Sequence, residues 1–214
     1  MAIPLYFAAN WKQFVYDPQK RPAQIGYGFR QDGTLRLPQR QIPDALCVID
    51  DSILPSEPVA AEQLAMLADR CDHGCFLDFE RPVHPFHIAL IAALHGIAPL
   101  LVPMRWSVYA PEALAVLSCP MPCNSWQEFC RSASQRFPRG WALEVTPWQQ
   151  RCDFPLGRTV SACFVRSALC RCKGSAEGLV YYDTGETLTE KLAVAEQLGC
   201  RCAVGLYEEL AALL

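Results

Sequence analysis

Two acidic residues, Asp78 and Glu80, carry the sharpest chemical signal in the sequence. They lie in the run His73-Gly74-Cys75-Phe76-Leu77-Asp78-Phe79-Glu80-Arg81-Pro82. Residues two apart on a strand share a face, so these carboxylates should project together, about 6–7 Å apart along the chain. Desolvation and mutual repulsion raise the pKa of one member of such a pair, which makes a general acid near neutral pH. The purely structural alternative is an ion pair of Glu80 with Arg81 or Arg105. His84 and His87 follow closely and, three apart at a helix start, can share a face. With Asp78 and Glu80 they form the donor set of a possible metal-dependent hydrolase, although helix-entry residues use the same spacing. Asp50 and Asp51 end another apolar run, before Ser52, and belong on the same rim if the fold is a barrel, either as supporting acids or as turn caps. Asn10 and Lys12 end the first apolar run and would face that mouth too.

On these residues the sequence resembles glycoside hydrolase family 18, the chitinase-like barrels. That family's signature strand reads D-G-x-D-x-D-x-E, and its final Glu is the general acid. Aligned on Glu80, Gly74, Asp78 and Glu80 match, while His73 and Phe76 replace the first two Asp. A second stretch is similar: Val180-Tyr181-Tyr182-Asp183, then Thr187 and Lys191, then Ala203-Val204-Gly205-Leu206-Tyr207. The resemblance implies that Glu80 protonates the glycosidic oxygen. It also implies that Asp78 orients the substrate's 2-acetamido group, whose oxygen attacks the anomeric carbon, so that no enzymic nucleophile is needed. The ligand implied is a carbohydrate containing N-acetylhexosamine, with Trp106, Trp148 and Tyr207 as aromatic floors. A carbohydrate- or partner-binding barrel without catalysis is the alternative, since Phe76 removes an acid and Tyr207 stands where the family has Trp.

These residues need a scaffold that brings strand ends together. Short apolar runs alternate with helical patterns along most of the chain, the mark of βα units and a mainly parallel sheet. The strands expected are Ile3–Ala9, Gln24–Phe29, Ala45–Ile49, Gly74–Phe79, Pro99–Pro103, a short one near Met121, Trp141–Val145 and Arg201–Tyr207. The helices expected are Pro58–Ala68 capped by Ser56, Pro85–Leu94 ending at Gly96, Pro111–Leu117, Ser125–Arg136 and Thr187–Leu198, the last two opening on capping boxes. Asp32-Gly33 signals a hairpin. Val160–Val165 and Leu179–Tyr182 suggest an antiparallel insertion within residues 146–186. The fold class expected is α/β: one compact (β/α)8 TIM-like barrel domain over 1–214, shorter than the usual ~250 residues. A flavodoxin-like open sheet is the alternative.

Composition excludes several functions. The 214 residues are 51% hydrophobic and carry a net charge of −3, with no basic run, so nucleic acid is not an expected partner. The longest apolar run, Ile88 to Val102, is broken by His95, Gly96 and Pro99 and is too short for a membrane span. No signal peptide is recognised, so a cytoplasmic location is expected. Nucleotide-binding glycine motifs, G-x-S-x-G and H-E-x-x-H are all missing, and no cofactor is expected. The twelve cysteines, in CxxxC and CxC pairs, should stay reduced, with Cys47, Cys75, Cys163 and Cys202 serving as small buried hydrophobes.

Overall fold

A computed structural model describes residues 3–120, 123–151, 162–175 and 178–214. These fall into two units, Leu5–Leu117 and Ser118–Leu214, the latter including the N-terminal segment up to Pro4.

The first unit runs β1 (Leu5–Ala9), β2 (Arg21–Phe29), β3 (Leu35–Arg36), β4 (Leu46–Asp50), α1 (Ala61–Ala68), β5 (Cys75–Asp78), α2 (Pro85–Ala93), β6 (Leu100–Pro103) and β7 (Leu114–Ser118). Neighbours pair in parallel in the order β1, β2, β4, β5, β6, β7, while β3 folds back antiparallel on β2 through the expected Asp-Gly turn. Such parallel strands read as continuous apolar runs because both faces are covered. In β5 the alternation is nonetheless visible: Cys75, Leu77 and the following Phe79 enter the layer packed by Leu67 of α1 and Leu90 and Ile91 of α2. Phe76 and Asp78 occupy the alternate positions.

Only two of this unit's connections carry an α-helix. Between β2 and β4 an extended stretch replaces it, held by the buried Gln24, whose amide donates to the Arg40 carbonyl (2.5 Å) and accepts from the Ile42 N–H (2.9 Å). Between β6 and β7 there is only a 3-10 turn, Met104–Trp106. The helix expected over Pro111–Leu117 is therefore corrected: Leu114–Ser118 is strand β7, its Ala115, Val116 and Leu117 buried. A short apolar run does not by itself separate a strand from a buried helix. Helix α1 starts at Ala61, not Pro58, and its N-cap is Ala60 with no side-chain bond, so Ser56 is not its cap.

The second unit runs α3 (Trp126–Arg136), β8 (Trp141–Val145), β9 (Trp148–Arg151), β10 (Cys163–Val165), β11 (Cys170–Ser175), β12 (Gly178–Tyr182), α4 (Gly185–Gln197), β13 (Cys200–Leu206) and α5 (Tyr207–Leu210). Strands β8 and β13 pair in parallel. The expected antiparallel insertion is a four-stranded sheet in the order β10, β11, β12, β9. The strand expected near Met121 and the first two residues of Val160–Val165 lie outside the described residues, while Cys163–Val165 is β10. Ser125 caps α3 by accepting from the Glu128 N–H. The cap of α4 is Thr184, with Thr187 reciprocating from the third helical position, one turn earlier than the pattern suggests.

Among the described residues the cysteines depart from expectation at one place. Cys163 and Cys172 oppose each other in register across β10 and β11 and form a disulfide, and Cys163 is exposed rather than buried. Cys47, Cys75 and Cys202 are free and buried. Among the described residues no helix is long and apolar enough to cross a membrane.

Candidate functional site

Strand β5 delivers the acidic pair. It opens at Gly74, whose φ of +97° favours glycine and whose missing Cβ would stand 2.5 Å from the Pro99 carbonyl oxygen. The strand ends at Asp78, where the Phe79 N–H turns back to the Leu77 carbonyl (3.0 Å). Glu80 therefore lies in the loop just beyond the strand rather than within it. Asp78 is half-buried and stands in register with Asp50, the last residue of β4.

Two like charges on adjacent strand ends repel, and Arg36 offsets them: its Nη2 reaches the Asp50 Oδ2 at 2.5 Å. Gly28 clears the way, since a Cβ there would lie 2.6 Å from the same Nη2. Ser52 donates both its N–H (3.1 Å) and its hydroxyl to Asp50 Oδ1.

Glu80 is exposed, and among the described residues its carboxylate has no hydrogen-bonding or ion-pair partner. Its backbone, by contrast, is held firmly. The Asp51 carboxylate accepts the Glu80 N–H at Oδ1 (3.0 Å) and the Arg81 N–H at Oδ2 (2.8 Å). Arg105 donates to the Phe79 carbonyl, and the Arg81 guanidinium donates to the Ser52 carbonyl (2.6 Å). Neither arginine forms the ion pair with Glu80 that a structural role for that acid would require.

His84 and His87 cap α2. The His84 ring accepts from the Phe86 N–H (3.3 Å), and the His87 Nδ1 accepts from the His84 N–H (3.1 Å). His87 is fully buried, with its Nε2 3.3 Å from Asp51 Oδ2. Burial holds its pKa below the usual histidine range, against the pull of Asp51. The two Nδ1 atoms serve the helix start, the buried His87 Nε2 makes no hydrogen bond despite its approach to Asp51, and among the described residues no three His, Cys, Asp or Glu side chains gather as a metal site.

The aromatic expectations separate. Trp106 is corrected to a core residue: only 1% exposed, its ring packs on those of Phe79 (5.3 Å), His87 (4.7 Å) and Tyr109 (5.8 Å), leaving no face for a sugar. Trp148, at the start of β9 in the second unit, is 54% exposed. Tyr207 is half-buried at the first position of α5. Asn10 closes its own turn, its Oδ1 accepting the N–H groups of Lys12 (2.9 Å) and Gln13 (3.2 Å).

The second unit holds Asp183, Thr187 and Lys191, which the sequence also singles out. Lys191 Nζ lies 2.9 Å from Asp183 Oδ2, both side chains fully buried, and the Thr187 hydroxyl donates to Asp183 Oδ1 (2.9 Å). Burial pushes the Asp183 carboxyl up, opposed by the Lys191 ammonium and the Thr187 hydroxyl. The indole of Trp126 donates to the Lys191 carbonyl (2.9 Å).

The roles of Arg36 and His87 escape sequence reading. Each depends on a contact 14 or more residues away in the chain, and no local pattern announces such a contact.

The sequence matches no family model and no curated protein. Solved structures do match its fold. The chitinase from Chromobacterium violaceum ATCC 12472 superposes with a TM-score of 0.61 at 12% identity, over 97% of this chain and 95% of that one. The spore cortex-lytic enzyme SleL of Bacillus cereus gives 0.60 at 11% identity, over 95% and 70%. The class V chitinase of Nicotiana tobaccum gives 0.53 at 8% identity, over 98% and 94%. The likeness at these identities is one of fold: the chain has a (β/α)8 TIM-like barrel fold similar to that of these enzymes, with a small antiparallel sheet.

Proposed function

We propose that this protein acts on a glycan containing N-acetylhexosamine, with Glu80 as general acid and Asp78 as the residue that orients the 2-acetamido group. The observation that carries this reading is the contrast at Glu80. Its carboxylate is exposed and unpartnered among the described residues, while the backbone beneath it is fixed by Asp51 and Arg105. A surface acid of no consequence has no need of a buried carboxylate under its own amide. Glu80 follows Asp78 at the end of a parallel strand, the end at which barrel enzymes carry their chemistry. The fold neighbours named a chitinase and a cortex-lytic enzyme support this choice of substrate class. In the substrate-assisted route Glu80 protonates the departing glycosidic oxygen. The acetamido oxygen, steered by Asp78, then attacks the anomeric carbon, and water opens the intermediate with Glu80 acting as base.

One observation favours a binding role without turnover. Phe76, buried on the same side of β5 as Asp78, stands where a further carboxylate would tune that Asp. The test uses fluorogenic N-acetylglucosaminide and chito-oligosaccharide substrates. Glu80→Gln should lower kcat by at least about 100-fold, the usual scale for losing general acid catalysis, with the melting temperature unchanged. Tight oligosaccharide binding without turnover in either form would establish the binding role instead.

A further inference from the structure

A buried carboxylate is expensive unless every lone pair has work. Asp51 is 2% exposed, and its work is unusual. It accepts from two consecutive backbone N–H groups, Glu80 at 3.0 Å and Arg81 at 2.8 Å, one on each oxygen. Only a carboxylate does this. An Asn of the same shape offers one acceptor and turns an amide N–H toward the other backbone donor.

Behind Asp51 lies His87. Its Nδ1 accepts the His84 N–H at 3.1 Å, which places the ring proton on Nε2. That nitrogen stands 3.3 Å from Asp51 Oδ2. The ring is fixed between Phe79 (centroids 4.5 Å apart) and Trp106 (4.7 Å). The start of α2 thus sets the tautomer of His87, whose Nε2 lies beside Asp51 Oδ2 without the alignment of a hydrogen bond, and Asp51 holds the amides of Glu80 and Arg81.

Resting on the reading of Glu80 given above, we propose that Asp51 and His87 are positioning residues that fix the Glu80 backbone, and so the reach of its carboxylate, without touching substrate. The device is local to β4, the β5–α2 loop and α2, and all its members lie in the first unit. It explains why two acids of different kinds stand together where β4 ends: Asp50 turns to Arg36, while Asp51, the next residue, is buried. It also explains why a histidine sits at the third position of α2, where an aliphatic residue would otherwise fill the same buried space.

The experiment compares wild type, E80Q, D51N, H87L and H87Q in steady-state kinetics on a chito-oligosaccharide. Hydrogen–deuterium exchange at the Glu80 and Arg81 amides is measured in each, a readout that does not depend on turnover. The expected result is a fall in kcat of about 10- to 100-fold in D51N with KM held within about twofold, the scale of a catalytic group misplaced by about an ångström. Both amides should lose protection while those of β5 keep theirs. H87L should show the same pattern more weakly. H87Q, which keeps a donor near the Nε2 position, should recover most of the loss, and the two His87 variants carry the test if D51N does not fold. Unchanged kcat in D51N and H87L, or undiminished protection of the two amides, overturns the positioning role and leaves Glu80 as the acid. Turnover that survives E80Q, or wild type without turnover, overturns the reading of Glu80 and the positioning role with it.

Discussion

Replacing Lys191 by Met should destabilise the protein by about 3–5 kcal/mol, the cost of leaving one member of a buried ion pair alone. The site admits no easier outcome. The two side chains are fully buried and 2.9 Å apart, so no water is at hand to replace the ammonium beside Asp183. At that distance the attraction being removed is about 6 kcal/mol for an effective dielectric near 20. Thr187 still donates to Asp183 Oδ1 and keeps part of the compensation. Met fills most of the volume of the lysine stem, so little of the loss is cavity. For a chain of this size the melting temperature should fall by roughly 6–20 °C.

The pH dependence identifies the cause. Burial already raises the Asp183 carboxyl, and removing Lys191 raises it further. Between the unfolded and folded pKa values the folded state then binds more protons than the unfolded one, so stability falls as pH rises through that window. The deficit of K191M should therefore be smaller near pH 5 than near pH 7, and D183N/K191M should recover at least about half of it. Urea denaturation at both pH values measures this. A K191M deficit below about 1 kcal/mol, or one identical at the two pH values, would refute the reasoning.

Gly74→Ala should cost about 3 kcal/mol, combining a left-handed backbone with a Cβ pressed against the Pro99 carbonyl at 2.5 Å. Gly96→Ala, at φ +91° with nothing within 4 Å of its Cβ, should cost only about 1 kcal/mol. Equal losses in denaturant titrations would show that the close approach is not real. Reduction of the Cys163–Cys172 disulfide, nine residues apart, should remove about 2–3 kcal/mol of loop-closure stabilisation. A melting temperature that does not respond to a thiol reductant would contradict that pairing.

Much of the scaffold was readable because its signals are local. Leu46-Cys47-Val48-Ile49 and Leu100-Leu101-Val102 are apolar without interruption and are doubly covered strands. Gly96 and Gly199, read as helix ends, have φ of +91° and +88°. Asp32-Gly33 makes its hairpin. The misreadings came where the same local signal serves two ends. Pro111 followed by Glu112, Ala113 and Leu114 looks like a helix start, but the buried residues after it belong to a strand. Ser56 and Thr187 have cap chemistry, but one precedes an extended segment and the other is the third residue of α4. At the site, the sequence placed Asp50, Asp78 and Glu80 near strand ends. Asp51 shows its difference from Asp50 only through amides 29 and 30 residues onward. Trp106 looked like a sugar platform because Trp often is one; its burial follows from the short β6–β7 connection, which packs the indole against Phe79 and His87 instead of covering them with a helix.

That short connection links the economy of the fold to the geometry of its mouth. The first unit covers its sheet with two α-helices and fills the remaining places with side chains: Gln24 bridges the Arg40 carbonyl and the Ile42 N–H, and Trp106 closes over Phe79 and His87. A loop built this way has few backbone partners of its own, so residues beyond the strand end must be secured by side chains reaching from neighbouring elements. Asp51 just after β4, Arg105 from the 3-10 turn and His87 from α2 all converge on Phe79, Glu80 and Arg81. In a barrel with full-length crossover helices the helix and loop backbones share that task. Here three ionisable side chains perform it, two of them buried, and the acid they secure faces solvent.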